Sequence, residues 1–208
     1  MPVQITKTLY YYNDLDEKGA EKAREWYRNM SNGDDFWSEC VIEDAANMAD
    51  ILGIDLRTRG KRPAIYWSGF WSQGDGACFE GTYKYGKKST KKIRKVAPQD
   101  EELHKIADRL QFTQKRFFYQ LVARVNHRGR YYHEHCTDIE VGLDDLYEYN
   151  LELDEEACEE IRDCLREFMR WIYKSLEKEY EWVNSDEVVA EAIELNEYTF
   201  DEEGNRDE

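Results

Sequence analysis

The 208-residue chain has no run approaching the ~20 consecutive apolar residues that a membrane-spanning helix needs. Its opening residues, Met1-Pro2-Val3-Gln4-Ile5-Thr6, lack the basic and apolar segments of a secretory leader. Cysteine is odd in number, and Cys40, Cys78, Cys136, Cys158 and Cys164 show neither CxxC pairing nor the spacing of a disulfide framework. Free thiols in a reducing compartment are the expectation, and with them a soluble cytoplasmic protein. Also missing are internal repeats, low-complexity linkers and any clear boundary. A single domain over residues 1–208 is therefore expected, with an acidic helical region from about residue 142.

What the chain does contain is bulk and charge. Aromatic residues make up 14%, including six Trp and fifteen Tyr, which is too much large apolar material for a disordered chain even at 36% charged residues. The mean hydropathy of −0.89 reflects a dense charged surface around an aromatic-rich core. The net charge of −16 is unevenly placed. Of the 45 acids, 26 fall in residues 138–208 against 6 bases; the other 19 share residues 1–137 with 23 bases. An acidic end and a mildly basic body bear on association and solubility more than on fold.

Periodicity gives the elements. Val3–Tyr12 alternates and reads as a strand. Asp14 or Asp16 then caps a helix with the stripe Ala20, Ala23, Trp26, Tyr27 and Met30, ending at Ser31-Asn32-Gly33. A second helix runs from Asp35 to Leu52, stopped by Gly53. Strands follow over Ile54–Arg59, Ala64–Phe70 and Ala77–Tyr85, then a helix after Pro98 with Leu103, Ile106, Ala107 and Leu110 inward. Phe117–Val125 and Arg130–Val141 flank Gly129 as a hairpin. The longest helix starts near Asp154 and passes Tyr180, with Cys158, Ile161, Leu165, Phe168, Ile172, Leu176 and Val183 on one stripe. A short helix, Asp186–Leu195, and an edge strand, Tyr198-Thr199-Phe200, complete the pattern. Adjacent strands with helices before, between and after them predict an α+β fold: a mostly antiparallel sheet of about five to six strands, packed with N-terminal helices and a long C-terminal helix.

Catalytic signatures are absent. No Ser or Cys stands in a Gly-x-Ser-x-Gly elbow. Carboxylate pairs such as Glu21/Glu25 and Glu39/Glu43 are expected by chance in so acidic a chain. Glu101-x-x-His104 has the spacing of a di-iron ligand pair, but it occurs once where such sites use two copies. His133 and His135, on one face of a strand beside Cys136, are the best metal candidates, without a visible ligand set to complete them. The expectation is a protein that is not an enzyme and holds no cofactor.

Three surfaces are candidates for binding. In Gly69-Phe70-Trp71-Ser72-Gln73-Gly74-Asp75-Gly76-Ala77-Cys78-Phe79, the glycines suit a tight hairpin turn. The alternative is a partner loop that projects Gln73 and Asp75, with Trp67 and Trp71 nearby. It is not a phosphate loop, because the Lys-Ser/Thr and the strand-to-helix context are missing. The stretch Lys84, Lys87, Lys88, Lys91, Lys92, Arg94 and Lys95, with Arg57, Arg59, Lys61, Arg62, Tyr83 and Tyr85, reads either as a solvated loop or as a nucleic-acid contact. The third surface is acidic. Glu159/Arg162, Asp163/Arg166 and Glu167/Arg170 pair along the long helix. The excess acids before and after it, including Asp144, Asp145, Glu148, Glu152, Glu187, Glu191 and Glu194, form a negative surface that either meets a partner or keeps the protein soluble.

The Gly69–Phe79 motif resembles the Gly-Phe-x-x-Gln-Gly-Asp-Gly-Ala-x-Phe signature of bacteriophage and prophage proteins labelled as antitoxins of a toxin–antitoxin stability system. Asp14–Arg28 looks like their opening helix, and Asn196–Phe200 followed by Gly204 like their closing segment. The resemblance implies no catalytic residues. It implies a protein that binds and neutralises another protein, a toxin or a bacterial defence factor, in the cytoplasm of a bacterial host; the charge asymmetry adds the expectation that the acidic surface imitates nucleic acid. The expected partner is thus a bacterial protein, a nucleic-acid-binding accessory role through Lys84–Lys95 is the alternative, and a metal-dependent enzyme using His133, His135 and Cys136 is a second one.

Overall fold

A computed structural model describes residues 6–31, 36–144 and 153–206. The fold is α+β, and the chain divides into two compact units: residues 1–38 with 178–208, and residues 39–177.

In the first unit, a short strand β1 (Tyr10–Tyr11) leads through a 3₁₀ turn into helix α1 (Glu17–Ser31). Asp16 caps that helix by accepting from Gly19 N at 2.7 Å. Helix α2 (Phe36–Leu52) begins in this unit, and α5 (Glu155–Val183) ends in it. After α5 come α6 (Asp186–Leu195), capped by Ser185, and β10 (Thr199–Phe200), which pairs antiparallel with β1. Ala23, Val189, Ile193 and Phe200 are buried together, with Trp26, Tyr27 and Tyr198 packed around them. Trp26 meets Tyr198 and Phe200 edge-on at 5.2 and 5.6 Å. Arg24 reaches Tyr12 Oη at 2.7 Å, and Arg28 holds both Asn184 O and the Asp186 carboxylate. The predicted strand Val3–Tyr12 therefore shrinks to Tyr10–Tyr11, because its partner β10 offers only two residues; Val3–Ile5 lie outside the described residues.

The second unit is built on an antiparallel sheet of four strands in the order β2 (Ile54–Leu56), β7 (Gly81–Lys84), β8 (Leu121–His127) and β9 (Thr137–Leu143). Two-stranded pairs join β3 (Thr58–Arg59) to β4 (Arg62–Pro63), and β5 (Ile65–Ser68) to β6 (Gly76–Phe79). β6 and β7 are one run of chain that changes partners at Glu80, whose N–H donates to Ala64 O and whose carbonyl accepts from Arg57 N. The Glu80 carboxylate is buried there against Tyr66 Oη (3.2 Å), Arg57 (3.3 Å) and His127 N (3.3 Å). With every neighbour a donor, it acts as a strut at the switch.

One face of the sheet is apolar because alternate residues point the same way: Tyr83, Leu121, Ala123, Val125 and Ile139 are buried. Helix α4 (Glu101–Arg116) buries Leu103, Ile106, Ala107 and Leu110, and α5 buries Ile161, Leu165, Phe168, Ile172 and Leu176, both at helical spacing. Full burial of each such Leu, Ile or Phe is worth about 1.5–3 kcal/mol. Asp100 caps α4 by accepting from Leu103 N at 2.9 Å, and its second oxygen accepts from Trp171 Nε1 of α5 at 2.7 Å. Along α5 the expected pairs form at 2.8 Å (Glu159–Arg162), 3.7 Å (Asp163–Arg166) and 4.0 Å (Glu167–Arg170).

Two segments differ from the sequence expectation. The basic stretch is not a loop: Ser89–Val96 forms a helix, α3, because Ser89 and Ile93, four apart, are both buried while the lysines between and beyond them stay in water. Nor does Arg130–Val141 begin as a strand. Residues 134–136 make a 3₁₀ turn, with Cys136 N bonded to His133 O and Thr137 Oγ1 to Glu134 O, and the strand starts only at Thr137. Among the described residues, no helix is long and apolar enough to cross a membrane.

Candidate functional site

The Gly69–Phe79 motif becomes a loop fastened at both ends. Asp75 does not project. Its carboxylate accepts from Trp71 N (3.0 Å) and Ser72 N (2.6 Å) and lies 3.3 Å from Ser68 Oγ. Carboxylate-to-amide bonds of this kind are stronger than neutral ones and fix the loop's shape. Gly69 has φ +31°, and a side chain on it would meet Asp75 Oδ2 at 2.6 Å; Gly74 has φ +105° with the Tyr131 ring lying 3.2 Å from its missing Cβ. The base is held by α5, where Tyr173 Oη donates to Gly69 O at 3.0 Å and the Tyr173 ring lies 5.5 Å from Phe70. Burial pushes the Tyr173 hydroxyl up from its ordinary pKa, so it stays a donor. At the apex Trp71 is 76% exposed and Gln73 is exposed. The result is a rigid loop presenting an indole and an amide to solvent.

The adjoining 130–136 segment brings His133 and His135 together with ring centroids 5.3 Å apart, though on a turn rather than a strand. Glu134 is buried between them, 3.1 Å from His133 Nδ1 and 3.8 Å from His135 Nε2, with Arg170 also at 3.8 Å. Among the described residues no three His, Cys, Asp or Glu side chains are gathered as a metal site. Cys136 instead neighbours Cys78, whose thiol is pushed up to about 12, first by burial and then by Cys136 and Glu80. His104 bonds Ala97 O at 2.8 Å, closing the turn before α4.

The basic and acidic candidates partly neutralise each other. Lys84, read with the basic stretch, pairs with Asp144, read with the acidic surface, at 3.1 Å. Arg94 is held by Asp108 at 2.6 Å. Lys87, Lys88, Lys91, Lys92 and Lys95 are exposed and make no ion pair with the described residues. At about 100° per residue, Lys91, Lys92 and Lys95 fall on one side of α3, opposite Ile93. On α6, Glu187, Glu191 and Glu194 likewise share a face, opposite the buried Val189 and Ile193, and have no cation among the described residues. Asp145, Glu148 and Glu152 lie outside the described residues.

Sequence reasoning did not single out Phe112, Phe118 and Tyr119. They are 69%, 69% and 45% exposed, and the Tyr119 ring lies tilted against that of Tyr85 with centroids 4.4 Å apart. Phe118 and Tyr119 are consecutive residues with φ +52° and +64°, in the left-handed region, which costs an L-residue roughly 1–2 kcal/mol each. They are held there by α4's last turn. Tyr119 N donates to Gln114 O at 2.7 Å, while the buried Gln114 amide donates to Leu121 O at 2.7 Å and accepts from Leu121 N at 3.1 Å. No periodic pattern marks such positions, since glycine is the usual occupant.

No curated protein and no solved structure matches the chain. One family model does match, over residues 37–186, a range that takes in the Gly69–Phe79 loop, the sheet, α3, α4 and α5 but leaves out nearly all of α6. By that match the chain belongs to the family of the domain of unknown function DUF8835.

Proposed function

We propose that this protein is a non-enzymatic binding factor, of phage or prophage type, that docks on a bacterial protein in the host cytoplasm, a toxin or a defence component, and neutralises it. The observation that carries the reading is the Gly69–Gly76 loop. Its backbone is fixed by Asp75 and Tyr173 while Trp71 and Gln73 face solvent. An exposed indole on a pre-ordered loop loses little conformational freedom on docking, and Trp is the residue most enriched among interface hot spots. The loop is also the part of the chain that resembles the antitoxin-labelled phage proteins, and it lies inside the DUF8835 match. Glu187, Glu191 and Glu194 of α6 supply a negative face outside that match, suited to steering a basic partner. Glu194 sits at the helix C-terminus, where the dipole disfavours an acid, so its place there is not explained by helix stability.

The test is parallel capture from bacterial lysate by the wild-type protein, a Trp71→Ala variant and a Glu187→Gln/Glu191→Gln/Glu194→Gln variant, at low and high salt. A hot-spot tryptophan is worth about 2 kcal/mol or more, so the alanine variant should bind the recovered protein roughly 30-fold more weakly. The triple variant should slow association, with an effect that fades at high salt. If the wild type and Trp71→Ala retain the same proteins at the same level, the loop is not the docking surface.

A further inference from the structure

Helix α3 and the exit of α4 make a second surface in the same unit. Thr90 Oγ1 of α3 and Tyr85 Oη both reach Gln111 Oε1 of α4, at 3.2 and 3.4 Å, and the Tyr119 ring leans against Tyr85. Around this junction lie the five lysines with no ion pair to the described residues (87, 88, 91, 92 and 95), together with exposed Lys115 one turn beyond Phe112. Asp108 is already taken by Arg94, and Asp144 by Lys84. Three of the four non-glycine residues with positive φ among the described residues also fall here: Lys88, Phe118 and Tyr119. Strain kept at two exposed aromatics and a lysine points to function rather than packing, since none of the three side chains is buried.

We infer that this surface binds single-stranded polynucleotide, with the α3 lysines on the phosphates and Phe118, together with Phe112, offering rings on which bases stack. Cationic side chains tracking a backbone beside exposed aromatics are what sequence-tolerant single-strand binding requires. A duplex keeps its bases stacked inside and offers these rings nothing. The chain's net charge of −16 does not forbid the contact, because the screening length of about 8 Å at physiological salt makes local charge decide. The inference is independent of the Trp71 loop, and Lys18→Glu, at an exposed lysine of α1 in the first unit, serves as its control.

The experiment is fluorescence anisotropy with labelled oligo-dT, an oligo-U of equal length and a mixed-sequence duplex, across a salt series. Both single strands should bind at low salt and the duplex distinctly less; the dT and U arms tell DNA from RNA. Each lysine on a single strand contributes about −0.7 to the slope of log affinity against log salt. Lys91→Glu/Lys92→Glu/Lys95→Glu should therefore flatten that slope by about 2 and weaken binding more than tenfold. Phe118→Gly should weaken it about fivefold or more while leaving the slope unchanged. Lys18→Glu should do neither. The inference is overturned if no oligonucleotide binds at low salt, if the lysine variant binds as the wild type does, or if duplex binds as well as single strand. Retention on phosphatidylserine vesicles without oligonucleotide binding would overturn it in favour of an anionic membrane.

Discussion

Phe118 stands at φ +52° and 69% exposed, so replacing it separates backbone strain from side-chain packing. Phe118→Ala and Phe118→Gly both remove the ring and lose the same contacts. They differ in what is left: alanine keeps the left-handed penalty of roughly 1–2 kcal/mol, whereas glycine does not. Against this, glycine gives the unfolded chain extra freedom worth roughly 0.5–1 kcal/mol. The glycine variant should thus be the more stable of the two by up to about 1.5 kcal/mol, with a midpoint of about 0.75 kcal/mol or about 2–3 °C in melting temperature for a chain of this size. At an ordinary helical position the order is reversed, which is what gives the comparison its force. Urea unfolding followed by far-ultraviolet circular dichroism measures it, provided the denaturant slope is the same in both variants. An alanine variant more stable than the glycine variant would refute a left-handed backbone at residue 118, and with it any strain kept there.

Other expectations follow from the same geometry. Asp75→Ala frees the Trp71 and Ser72 amides and should cost about 1–2 kcal/mol, with faster hydrogen exchange at those two amides as the direct readout. Asp186, hydrogen-bonded by Arg28 and near Arg24, has its carboxyl held below the ordinary aspartate value of about 4. Its stabilisation is therefore present above that value and lost as pH falls through the lower, folded one. Asp186→Asn should flatten the fall in melting temperature below about pH 4 and leave its shape above pH 5 unchanged. Cys164 and Cys78 are buried, with thiols pushed up to about 12, while Cys40 is exposed. Ellman's reagent should label Cys40 rapidly in the native protein and reach Cys78 and Cys164 only on unfolding.

Much of this architecture is written in local pattern. Helix α6 runs Asp186–Leu195, the residues its periodicity predicts, and α5 buries the stripe from Cys158 to Leu176. A helical face repeats every 3.6 residues whatever it packs against, so such elements announce themselves. The α3 helix is not legible in the sequence because only Ser89 and Ile93 turn inward, too short a stripe to stand out among lysines. The run from Ala77 to Tyr85 reads as one strand and is one in backbone, but the change of partner at Glu80 depends on where Ala64 and Arg57 arrive in space.

The candidate surfaces divide in the same way. The glycines of the Gly69–Phe79 motif signalled a turn, and the acid excess near the C-terminus was countable from composition, since both are properties of residues in order. That Asp75 folds back onto Trp71 and Ser72, that Lys84 is spent on Asp144, and that Phe118 and Tyr119 are held left-handed in the same unit as five lysines with no ion pair to the described residues are matters of tertiary structure. Each depends on groups brought together by packing rather than by chain distance, as when Lys84 meets an acid sixty residues away. The sequence by itself determined the fold class and the stock of charge; tertiary structure alone decided which charges and rings remain available to a partner, because an ion pair or a stacked ring is set by where two distant segments pack.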